Sequence, residues 1–264
     1  MDADLRNSLW NCIYAALPGD DLPFVGVKDW PLFRMMWADF LKLPLNSMES
    51  EIAAYYFRLT KIYDSWEWYQ VYEFVEFLLS VEPKRFDKAF VEACNGVLER
   101  EHAQYRIVNR QVVEIVDATE IEAIETAIQA SANEQFRAVG QHFEAALSLL
   151  ADKRQPDYRN STKESISAVE AVCRMVSGKP KASLGEALKA MKKAGAIELH
   201  PTQSAAFEKL YGYASDAEGI RHAMSDDPEL DFEDAKYMLV ICSAFTNYLL
   251  VKAAKADMKL EGAE

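Results

Sequence analysis

Apolar positions recur at helical spacing along most of the chain. Leu5, Leu9, Ile13 and Leu17 make one stripe, closed by Pro18-Gly19. After a loop marked by Pro23 and Gly26, residues 30–43 carry Trp30, Phe33, Trp37 and Phe40 on a second helical pattern. A helix pair is expected over 47–63 and 65–81, with Ser47 together with Ser50 or Glu51 offering an N-cap to the first and Asp64-Ser65 at the junction. Val71, Val75, Phe77 and Leu78 give the second member its apolar side, and Pro83 closes it. Residues 86–101 read as a further helix through Phe90, Val91, Cys94 and Leu98.

The period then shortens. Residues 105–109 and 112–116 are β-branched runs joined at Asn109-Arg110, which predicts one short β-hairpin. Asp117 to Thr119 caps a helix reaching about residue 130. From Asn133 the pattern is helical again. Phe136, Val139, Phe143, Leu147 and Leu150 form a stripe that Pro156 breaks, and Ser161-Thr-Lys-Glu164 reads as a capping box. Ile166, Val169, Val172, Cys173 and Val176 follow, and Ser177-Gly178 ends that helix. Shorter helices are expected over 184–191 and 203–211. A long final helix opens at Asp231-Phe-Glu-Asp234 and runs to about Lys255.

The fold class expected is therefore mainly α with one hairpin. At 264 residues, 50% hydrophobic and 27% charged, the chain has ample core for a globular protein. All five tryptophans precede residue 69, which suggests a boundary near Ser131 between modules 1–131 and 132–256, with 257–264 as a polar tail. The formal charge of −13 argues against a broad electropositive surface, although a local basic site is compatible with it. Cys12, Cys94, Cys173 and Cys242 contain no Cys-x-x-Cys pair, which points to reduced, mostly buried thiols in a cytoplasmic protein. No signal peptide is apparent. The most apolar run, 237–251, is interrupted by Ser243, Thr246 and Asn247 and falls short of the roughly 20 residues of a membrane span. It reads as a buried core helix, with no membrane partner.

Arg221 and His222 concentrate the candidate chemistry. They sit on the glycine-bearing stretch 211–223, a fork for phosphate beside a group that titrates near neutrality. Arg159 and Asn160, at the start of a neighbouring helix, would complete a phosphate-binding cluster. Against this stands the density of acids around that loop: Asp216, Glu218, Asp226, Asp227, Glu229, Asp231, Glu233 and Asp234. A solvated acidic rim explains these acids better than Mg²⁺ ligation, and Asp231 and Asp234 suit helix capping. Glu99 and His102 form one Glu-x-x-His unit where an iron centre needs two, so no metal site and no cofactor are expected. Arg137 and His142 point about 140° apart on a helix. Glu164 and Glu170 lie on different faces, and Lys163 or Arg174 are their expected partners. Lys179, Lys181, Lys189, Lys192 and Lys193 read as a solvated face, and Trp30, Trp37, Trp66 and Trp68 as core. Tyr211 and Tyr213 flank Gly212 and suit aromatic packing. No Walker loop, Rossmann fingerprint or zinc spacing occurs.

Residues 157–170, 209–213, 219–223, 234–240 and 242–248 together resemble the HEPN-type four-helix domains of AbiJ-like abortive-infection proteins. Leu5-Arg-Asn-Ser-Leu-Trp-Asn11 and the 99–116 region are similar to the N-terminal module that accompanies such domains. The resemblance implies a HEPN-like bundle, antiviral defence and a homodimer. RNA is the implied target, through metal-independent cleavage in which His222 moves the proton and Arg221 stabilises phosphate charge. The family's Arg-x(4–6)-His spacing is not kept, because His222 follows Arg221 directly. The alternative is a non-catalytic sensor or scaffold that binds a phage or host protein as its trigger.

Overall fold

The computed structural model describes residues 1–18, 30–130, 134–182, 184–194, 200–215 and 230–255. Among them are eleven α-helices and a single two-stranded antiparallel sheet, so the protein is mainly α with one short hairpin. Packing divides the chain into two compact units, Met1–Ile115 and Val116–Glu264.

The first unit comprises α1 (Ala3–Ala16), α2 (Pro31–Met35), α3 (Ile52–Asp64), α4 (Trp68–Val81) and α5 (Lys88–Arg100), followed by β1 (Arg106–Val108) and β2 (Gln111–Val113). Its core is aromatic. Phe33, Trp37, Tyr55, Tyr63 and Phe74 are all buried, each worth about 1.5–3 kcal/mol of transfer free energy. Their polar atoms are satisfied. Tyr55 donates to the Phe33 carbonyl at 3.2 Å, Tyr63 to the Arg6 carbonyl at 3.0 Å, and Trp37 Nε1 to the Pro44 carbonyl at 3.1 Å. Burial pushes the hydroxyl pKa of Tyr55 and Tyr63 upward.

Three expected boundaries shift. The helix expected over 30–43 is α2 continued by a π-helical turn, Met36–Phe40, closed by Leu41 N–H on the Met36 carbonyl at 2.9 Å. The wide turn lets Met36 and Trp37 both be fully buried while Phe40 packs on Trp66, Phe74 and Phe77. Ser47 is not a cap. It lies in a 3₁₀ turn, where its hydroxyl donates to the Pro44 carbonyl at 2.7 Å, and α3 starts five residues later behind Glu51. Helix α4 starts at Trp68, because Glu67 and Gln70 supply a reciprocal capping box that Ser65 cannot.

The hairpin forms where the β-branched residues predict it. Asn109 and Arg110 both take positive φ, 42° and 68°, as a tight two-residue turn requires. Two strands alone are marginal, and here side chains satisfy their edges. Asn95 on α5 both donates to the Ile107 carbonyl, at 3.1 Å, and accepts from its N–H, at 2.7 Å. Glu76 on α4 accepts from Val112 N–H at 2.6 Å.

The second unit contains α6 (Ala118–Ala130), α7 (Arg137–Ala151), α8 (Tyr158–Ser177), α9 (Leu184–Ala194), α10 (Pro201–Ser215) and α11 (Phe232–Lys255). Helices α6, α7, α8 and α11 close a four-helix ring, in which α8 packs on α7 and α11, and α6 on the same two. Asp117 caps α6 through the Thr119 and Glu120 N–H groups, as expected. The capping box at Ser161 does not form. Asp157, following Pro156, already accepts from Asn160 N–H at 2.9 Å, so α8 begins a turn earlier. Ser161 is then fully buried and sends its hydroxyl to the Ala146 carbonyl of α7 at 2.8 Å. Gly178 ends α8 in the left-handed region at φ 64°.

Among the described residues, α11 is the one helix long and apolar enough to cross a membrane, with mean hydropathy 1.4. In the fold it is a core helix. Ala235, Leu239, Cys242, Phe245 and Leu249 are buried, Lys236 pairs with Glu120 at 3.3 Å, and Asn247 donates to the Ala123 carbonyl at 2.9 Å.

Candidate functional site

Helices α8 and α11 run parallel. Their first residues, Tyr158 and Phe232, meet edge to face at 6.3 Å. Further along, Ile166 and Val169 share an apolar crevice with Met238, Ile241 and Cys242. Two N-termini, each with unsatisfied N–H groups and the positive end of a helix dipole, therefore lie side by side.

Arg159 and Asn160 occupy the first turn of α8 and are exposed. Arg159 makes no ion pair among the described residues. Asn160 commits its side-chain amide to Asp157 Oδ2 at 2.7 Å. The α11 end is equally acidic. Asp231 Oδ1 accepts from Asp234 N–H at 3.0 Å and Asp234 Oδ2 from Asp231 N–H at 3.4 Å, the capping role expected of them. These carboxylates offset the dipoles at the point where a phosphate would approach.

Arg221 and His222 lie outside the described residues, as do Asp216, Glu218, Asp226, Asp227 and Glu229. The described chain on both sides leads toward this end of the bundle. Leu230 and Asp231 run straight into α11. On α10, Phe207 stacks on Phe245 at 3.3 Å, and one turn later Leu210 reaches the crevice with Met238 and Ile241, so α10 advances toward the α11 N-terminus.

A second polar pair links α7 to α8. His142 Nδ1 lies 2.6 Å from Glu164 Oε2, with the imidazole 37% and the carboxylate 28% exposed. Glu164 thus takes neither Lys163 nor Arg174, which corrects the expectation for it. Glu170 does take Arg174, at 3.1 Å, and Arg174 Nε also donates to the Ala182 carbonyl at 2.8 Å. The reason is reach across helices: Glu164 faces α7, while Glu170 and Arg174 are one turn apart on one flank. No sequence signal joins His142 to a carboxylate on the next helix.

The remaining candidates separate. Glu99 and His102 are exposed at the end of α5. His102 has left the helix at φ 55°, so the two do not share a helical face, and the described residues hold no cluster of three metal-ligating side chains. Lys179, Lys181 and Lys189 are exposed, while the side chains of Lys192, Lys193, Tyr211 and Tyr213 lie outside the described set. Trp37 and Trp66 are core residues, and Trp30 and Trp68 are half-buried.

A helical module with an edge-satisfied hairpin, followed by a unit built on a four-helix ring, defines the class of protein. Residues 1–130 match the family described as AbiJ N-terminal domain 4, which makes this stretch of the chain AbiJ-like. Abortive-infection defence is the setting this domain suggests. The match runs through α6, which packs in the second unit, so sequence kinship and packing divide the chain at different places. No curated protein and no solved structure matches the chain significantly.

Proposed function

We propose that the protein is an abortive-infection effector whose second unit is a HEPN-like bundle acting on RNA without a metal, in the bacterial cytoplasm. The observation that supports this reading is the side-by-side placement of the α8 and α11 N-termini at the end carrying Arg159, where the segment with Arg221 and His222 joins α11. In this reading His222 withdraws the 2′-hydroxyl proton and returns it to the leaving oxygen. Arg221 and Arg159 hold the phosphate oxygens as charge builds on them. A homodimer is part of the proposal. The outer stripe of α11 exposes Tyr237 and Val251, each 54%, on a helix whose opposite face is core.

The second reading, a sensor or scaffold triggered by a phage or host protein, draws on the caps. Asn160's amide is occupied, and Asp157, Asp231, Glu233 and Asp234 oppose a polyanion.

The test is RNA cleavage by purified protein in EDTA, comparing wild type with His222→Ala and Arg159→Ala, with circular dichroism to verify folding. Catalysis at this end requires His222→Ala to lose about 100-fold or more in rate. It also requires Arg159→Ala to weaken RNA binding with a shallower salt dependence. Equal cleavage by wild type and His222→Ala would sink the nuclease assignment, and no cleavage of any RNA would leave the scaffold reading.

A further inference from the structure

The first unit holds a cleft of about 390 Å³ where the start of α1, the start of α4 and the chain leaving α5 come together. Three aromatic rings line it, and each meets the other two. Trp68 and Tyr72, one turn apart on α4, have ring centroids 6.0 Å apart. Tyr105 lies 5.7 Å from Trp68 and 5.0 Å from Tyr72. Tyr72 is buried, whereas Trp68 and Tyr105 are half-buried and reach the surface.

The stretch that carries Tyr105 is braced by its own backbone. Ala103 N–H donates to the Leu98 carbonyl at 2.8 Å, which closes α5. His102, also at the rim of the cleft, takes a φ of 55°, a left-handed conformation that a Cβ disfavours. Arg106 Nη1 then donates to the carbonyls of Ala103 and Tyr105, at 2.7 and 2.8 Å. The third ring is thus set against α4 by the fold itself.

The charge that lines the cleft is negative. Asp2, Glu101 and Glu114 are among its lining residues, and no lysine or arginine is. Asp2 uses Oδ1 to cap α1, accepting from Leu5 N–H at 2.9 Å, and Glu101 Oε1 accepts from Arg100 Nε at 2.9 Å. Glu114 is exposed and makes no ion pair among the described residues. Ring faces and carboxylates both attract positive charge, and both repel an anion. A bare metal ion is poorly served, because the described residues hold no group of three metal-ligating side chains. Rings beside carboxylates suit instead a cation whose charges are separated by methylene groups.

We propose that this cleft binds a linear alkyl polyamine. One ammonium and the methylenes next to it lie against Trp68 and Tyr105, and a second ammonium is held by Glu114 and Asp2. The site lies wholly within the first unit and stands independently of the RNA reading.

The experiment titrates the full chain with spermidine by isothermal calorimetry, with 1,5-pentanediol as an uncharged comparison. A single site is expected for spermidine and none for the diol. Glu114→Gln and Tyr105→Leu should each weaken spermidine binding about tenfold, while Tyr105→Phe, which keeps the ring, should bind as wild type does. No binding at millimolar spermidine overturns the proposal. So does binding that both variants leave unchanged, which would be diffuse attraction to a chain of net charge −13. Glu114 is exposed, so Glu114→Gln decides the matter even if Tyr105→Leu misfolds.

Discussion

A thiol's neighbours decide whether it reacts, and this chain holds both extremes. Desolvation alone pushes Cys242 up to about 12. Cys12, near Cys94, Arg85, Asp87 and Arg100, with Tyr63 behind Cys94, is held at about 7. Iodoacetamide labelling of Cys12 should therefore rise with pH through a midpoint near 7 and level off above it. Cys242 should label only on unfolding, and a Cys12 midpoint at the ordinary thiol value of about 8.5 would contradict the arrangement. The sign for stability follows from the same shift. A thiol depressed in the folded state favours folding above its unfolded pKa, and that contribution fades as pH falls through about 7. Composition gave the four thiols as reduced and mostly buried. It could not show that α1 and α5 pack together, because that is a property of tertiary structure.

At the scale of elements, periodicity carried most of the information. The stripe on α1, the hairpin with its Asn109-Arg110 turn, the Asp117 and Asp231 caps and the Gly178 stop were all legible in the sequence. The failures fall at helix starts. Ser47 and Ser161 each resemble a cap, yet α3 begins behind Glu51, whose side chain makes no capping bond, and Asp157 caps α8, while both serine hydroxyls go to carbonyls. The hairpin makes a direct prediction. Arg110 holds a positive φ of 68° that glycine adopts without cost, so Arg110→Gly should stabilise the first unit. A gain of about 0.5–1 kcal/mol in denaturant unfolding is expected, and a loss of that size would show that the arginine side chain contributes more than the turn strain costs.

For the whole molecule, the candidate site was legible as residue types and not as a place. Arg159 and Asn160 are at a helix start, as read, but the sequence did not show that Asp157 occupies the Asn160 amide or that His142 meets Glu164. The proposed assembly is tested at this scale. Replacing Tyr237 and Val251 by Glu puts two carboxylates on the exposed stripe of α11 and leaves its buried face intact. If a second copy of the chain covers that stripe, the double variant should elute as a monomer where the wild type elutes as a dimer, with an unchanged circular dichroism spectrum. Identical elution of the two proteins would remove α11 from the interface.

The parallel course of α8 and α11 has a topological consequence. Antiparallel neighbours can be joined by a tight turn, but a parallel pair obliges the chain to return the full length of the first helix before the second begins. The 20 residues of α8 span about 30 Å, a distance that about nine extended residues would cover. The return path here occupies residues 179–230, several times what the span demands. The surplus includes α9 and α10, whose Leu184, Leu188 and Phe207 pack back onto the bundle, so the return path adds to the core that it connects.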